Sequence, residues 1–79
     1  MTPYANHSRK SPITAYEIAD DSIKVQYRPD WIYLYTYRTA GRTAIEEMKE
    51  LARAGEGLST YISRNGPPYE SKTPMHEGT

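Results

Sequence analysis

"IKVQYRPDWIYLYTY", residues 23–37, is the stretch that decides the fold. Its first five residues alternate. Ile23, Val25 and Tyr27 point one way and Lys24 and Gln26 the other, the period of a half-buried antiparallel strand. Arg28, Pro29 and Asp30 read as a turn, with Pro29 preset for its bend. Seven residues without charge or proline follow. Trp31, Tyr33, Tyr35 and Tyr37 hold the odd positions, and Ile32 and Leu34 sit between them. The aromatics belong either to a core or to a surface that holds a partner. The alternation of the preceding strand turns Tyr33 and Tyr35 inward and leaves Ile32 and Leu34 on the opposite face.

Working outward, "ITAYEI" (13–18) reads as a strand, with Tyr16 and Ile18 on one face. Ile13 falls on the other face under strict alternation, so a bulge near Thr14 or Ala15 is expected. "ADDS" (19–22) is a turn by its aspartate pair. The three strands form a meander. Next, Thr43 and Glu46 match the S/T-x-x-E capping pattern, and Ala44, Ile45, Met48, Leu51 and Ala52 make an apolar stripe at helical spacing. Glu46, Glu47, Lys49, Glu50 and Arg53 fall mainly on the other faces. Gly55 is placed to end that helix. Leu58, Tyr61 and Ile62 suggest a short second helix, which "RNGPP" stops, and Tyr69 tacks the chain back onto the domain. The expected fold is α+β: a three-stranded antiparallel meander packed against one amphipathic helix, plus a short second helix. Ile45, Met48 and Leu51 would pack on Tyr16, Ile18, Ile23, Val25, Tyr27 and one face of the third strand.

Seventy-nine residues make one domain with a thin stability margin. Residues 1–11 and 70–79 read as flexible arm and tail, too polar to offset their ordering entropy, and residues 12–69 as the folded unit. There is no cysteine, which excludes disulfides and thiolate metal sites and fits a cytoplasmic setting. No apolar run approaches the roughly 20 residues of a membrane span. The first residues are basic and polar with no apolar run behind them, unlike a secretory signal.

Catalysis finds little support. Both histidines, His7 and His76, lie in the expected arm and tail, so no Ser-His-Asp set can be built on rigid elements. Asp20 and Asp21 read as a turn rather than a carboxylate pair. "AGEG" (54–57) lacks the Lys-Ser/Thr of a phosphate loop. No metal-ligand spacing is present, and no cofactor or small-molecule substrate is implied. The expectation is a protein that is not an enzyme.

Two binding readings remain. The third strand would be an edge, and it carries none of the usual guards against pairing. Trp31, Ile32, Leu34 and Thr36 are therefore the expected protein interface. The protein would be a small interaction module that associates through this strand and the open sheet face, as a homo-oligomer or an adaptor. The alternative is an RNA- or single-stranded nucleic-acid-binding module using the sheet's basic rim, Lys24, Arg28, Tyr37, Arg38 and Arg42, beside exposed aromatic faces. A formal net charge of zero counts against non-specific polyanion binding but permits a local basic patch.

Taken in order, "IYLYTY", "AIEEMKELARAGEGLSTYIS" and the later Tyr69 resemble the KTSC domain. This is a short bacterial and phage domain named for its place at the C-terminus of some lysyl-tRNA synthetases, and it also exists as a stand-alone protein. The resemblance rests on Tyr33-x-Tyr35, an amphipathic helix, Gly57, Leu58, Tyr61 and Ile62, and a downstream tyrosine. It covers roughly residues 11–70. It implies Tyr33 and Tyr35 turned inward and, from the synthetase context, RNA as a candidate partner. Ser63 stands where the family often has Asn, and "NGPP" replaces the usual Val or Ile and basic residues, so no ligand role is carried onto that segment.

Overall fold

A computed structural model describes residues 1–7, 9–28 and 31–74. The elements are β1 (Thr2–Pro3), β2 (Ile13–Ala19), β3 (Ser22–Tyr27), β4 (Trp31–Thr36), α1 (Tyr37–Ala40), α2 (Arg42–Ala54), α3 (Leu58–Asn65) and β5 (Ser71–Pro74). The architecture is α+β. One antiparallel sheet of five strands lies in the order β1-β2-β3-β4-β5, with three helices.

The three expected strands are thus the middle of a five-stranded sheet. β4 is not an edge: it pairs with β3 on one side and β5 on the other. The outer strands escape a sequence reading for a physical reason. They are two and four residues long and mostly polar, too short for an alternation to show. Brevity, proline and lysine are also how natural edges avoid further pairing, and Pro3, Lys72 and Pro74 sit on these two.

The N-terminal segment departs from the flexible-arm expectation. Tyr4 is only 6% exposed and belongs to the core. Its N–H donates to the Thr14 carbonyl at 3.0 Å, and its hydroxyl accepts the Leu58 N–H at 3.3 Å. The Asn6 side chain clasps the backbone of Ser11 in both directions, and the buried Ser11 hydroxyl accepts the Ile13 N–H at 3.1 Å. A single aromatic anchor outweighs the polar composition around it. The expected C-terminal tail likewise supplies β5 from residues 71–74. Residues 75–79 of that tail, including His76, lie outside the described residues, as do Pro29 and Asp30 of the expected turn.

Register fixes the faces. Ile18 opposes Ile23 and Tyr16 opposes Val25, with the shift between Ile13 and Ala15 that the pattern of β2 anticipates. Ile23 opposes Tyr35, Val25 opposes Tyr33 and Tyr27 opposes Trp31. Tyr33, Tyr35 and Trp31 therefore share the inner, helix-facing side. Tyr35 is buried with Ile23, Val25, Ile45, Met48 and Leu58, and Tyr33 packs against that core half-buried.

Helix α2 buries Ile45, Met48, Lys49 and Ala52. It begins differently from the sequence reading. Its N-cap is Gly41 with no side-chain cap, and the Thr43–Glu46 pattern lies inside the helix. The capping box belongs to α1, where Thr36 and Thr39 each accept the other's backbone N–H at 3.2 Å. The C-terminus is as expected: Gly55 adopts a left-handed φ of 77° and donates to the Leu51 and Ala52 carbonyls. Among the described residues, no helix is long and apolar enough to cross a membrane.

Candidate functional site

The outer face of the sheet is uncovered by any helix. Lys24 lies opposite Leu34, which lies opposite Ser71. Gln26 lies opposite Ile32, which lies opposite Thr73. Ile32 and Leu34 are half-buried among these shorter or polar neighbours. They form the apolar floor of a groove of about 370 Å³, with Met1, Lys24, Thr73 and Pro74 along its sides. Lys24 meets Glu17 on the same face at 3.8 Å, both side chains about half exposed.

The four expected interface residues do not stay together. Ile32 and Leu34 share this outer face. Trp31 is on the inner side, opposite Tyr27. Thr36 is committed to the cap of α1, and its hydroxyl also donates to the Glu70 carboxylate at 3.2 Å.

The basic rim is also divided. Arg28 follows β3 at one end of the sheet, where its guanidinium donates to the Ser11 carbonyl at 3.2 Å. Tyr37, Arg38 and Arg42 follow β4 at the other end, a strand length of roughly 20 Å away. Lys24 is on the outer face between them, paired with Glu17. Arg38 and Arg42 are exposed. Tyr37 turns to α2, and its hydroxyl donates to the Glu46 carboxylate at 2.7 Å. That bond pushes the Tyr37 phenol above its ordinary value. The same bond, together with one from Lys49, holds the Glu46 carboxyl below the usual carboxylate range. No single basic surface results from these five residues.

A second cluster was not legible in the sequence. Tyr33 is the hub of an aromatic group at the seam of β4 and β5. Tyr27 meets it edge-on at 5.0 Å between centroids, and Tyr69 does so at 4.9 Å. The Tyr35 ring lies nearly parallel at 6.2 Å. Lys72, opposite Tyr33 in register, places its ammonium 4.4 Å from the Trp31 ring centroid and 5.5 Å from that of Tyr33, a cation–π geometry. Burial pushes the Tyr27 and Tyr35 phenols up, so both stay neutral hydrogen-bonding groups rather than bases. Trp31 is 38% and Tyr69 49% exposed. The signal for this cluster was the position of Lys72, which has meaning only once β5 is known to pair with β4.

For chemistry, Asp20 and Asp21 contribute backbone: the Asp20 carbonyl accepts from Lys49 at 2.9 Å and the Asp21 carbonyl from the Tyr37 N–H at 2.9 Å. Among the described residues, no group of three or more His, Cys, Asp or Glu is placed to hold a metal ion. Comparison with family models, curated proteins and solved structures finds no match to this chain.

Proposed function

We propose that this chain is a small non-enzymatic protein-interaction module, a stand-alone protein of KTSC type, that associates through the open face of its sheet with a second copy of itself. The supporting observation is the groove floored by Ile32 and Leu34 on a face that no helix covers. Strand addition has little support, since β4 is internal and the two edges are short and guarded. Face-to-face packing remains. Glu17 and Lys24 lie side by side on that face, a self-complementary charge pattern of the kind a two-fold interface uses. A chain without cysteine suits a cytoplasmic setting, which belongs to the same reading.

Sedimentation velocity over a micromolar concentration series tests it. Wild type should dimerise, and Ile32→Lys with Leu34→Lys should sediment as a folded monomer. A wild type that stays monomeric at every concentration overturns the reading. So does a dimer that survives both substitutions.

A further inference from the structure

We propose that Trp31, Tyr33, Tyr69 and Lys72 form a stacking site for single-stranded nucleic acid at the seam of β4 and β5. The site lies on the inner side of the sheet, away from the groove over Ile32 and Leu34, so it stands or falls separately from the homotypic interface. Its rings are braced: Tyr33 is held edge-on between Tyr27 and Tyr69. Its outer rings are nevertheless in water. Among the described residues, Trp31 and Tyr69 are two of the three exposed large hydrophobics, and aromatic residues of this kind are enriched where proteins hold partners.

Charge selects the ligand class. The Lys72 ammonium is held 4.4 Å over the Trp31 ring, and among the described residues no carboxylate forms an ion pair with it. Arg28 follows Tyr27, the register partner of Trp31, but its guanidinium is engaged on the other side of β3, where it donates to the Ser11 carbonyl at 3.2 Å, so Lys72 is the cation at the rings. Aromatic faces beside the Lys72 ammonium favour a flat, anionic ligand. A cationic peptide would be repelled. Nucleobases with their phosphates satisfy both features. A duplex hides its base faces, whereas single strands present them for stacking beside a positive groove. With a single cation at the rings and zero formal net charge, binding should be weak, with a shallow salt dependence.

Trp31 is the only tryptophan, so its fluorescence reports on the site itself. The full chain is titrated at low salt with oligo-uridine and oligo-thymidine, and separately with duplex DNA of the same length and with heparin. Both single strands should quench Trp31, and duplex and heparin should not. Tyr69→Ala should weaken binding by about fivefold or more, the loss of one stacked base. Lys72→Gln should reduce the log–log salt slope by about 0.7, one phosphate contact to a single strand. Both substitutions are at exposed positions, and circular dichroism verifies that the variants fold. Absence of quenching overturns the proposal, as does binding that leaves Trp31 fluorescence unchanged. Equal quenching by heparin or duplex reduces the site to polyanion adsorption and overturns it too. Unaltered binding by both variants has the same force.

Discussion

Lys49 shows how far one residue can stand from its sequence reading. A lysine between glutamates on a helix reads as a solvated face, yet Lys49 is 5% exposed. Its ammonium donates to the Asp20 carbonyl and to the Glu46 carboxylate, each at 2.9 Å. It also lies 5.6 Å from the Tyr37 ring centroid. The stem packs with the core while the charge reaches its partners at the rim, an arrangement that composition and periodicity cannot reveal. Lys49→Met keeps most of the packing and loses both bonds. Glu46 is exposed and can be rehydrated, so the cost should be moderate, about 1–2 kcal/mol in urea denaturation. The Tyr37–Glu46 bond also makes stability depend on pH. A carboxyl lowered in the folded state stabilises the fold above its unfolded pKa of about 4.3, and loses that contribution as pH falls through the folded value. A raised phenol contributes below about 10 and loses its contribution as pH rises further. The melting temperature of wild type should therefore fall between about pH 5 and about pH 3 by more than that of Glu46→Gln. Equal acid sensitivity of the two would show that Glu46 is not the group involved.

At the scale of elements, what the sequence disclosed follows from signal length. β2, β3, β4 and the C-terminus of α2 were legible, because each rests on a clean alternation or on a glycine at a required position. β1 and β5 were not, because two and four residues cannot carry a period. The start of α2 was misplaced because the S/T-x-x-E pattern begins at Thr43, the second residue of a helix whose N-cap is Gly41. Gly55 has a role no periodicity suggests. It holds a left-handed φ, and a Cβ there would come 2.6 Å from the Cβ of Ala5, while its carbonyl accepts the His7 N–H at 2.8 Å. Gly55→Ala should therefore cost more than about 1 kcal/mol and remove hydrogen-exchange protection at the His7 amide. Adding Ala5→Gly should recover the part due to the clash and leave the part due to φ. If the His7 amide stays protected in Gly55→Ala, the N-terminal segment is not held by this contact.

For the whole molecule, the seam between β4 and β5 joins its foldedness to its solubility. In the intact chain, β4 has partners on both sides, and the new edge is four residues bearing Lys72 and Pro74. Without residues 70–79, the edge becomes "WIYLYT", six uncharged residues with apolar side chains on both faces. A long, flat, apolar edge is a template for pairing with other chains. The core around Ile23, Val25, Ile45 and Met48 does not draw on β5, so the shortened chain should still fold. It should then aggregate, with light scattering that grows with time where that of the intact chain stays constant. Leu34→Lys in the shortened chain restores a charge to that edge and should suppress the scattering. A shortened chain that stays soluble and monomeric would mean that β5 is not the guard of β4. The candidate sites depend on the same seam: Trp31, read from sequence as part of an edge interface, meets Lys72 and shares a face with Tyr69 only because β5 closes over β4.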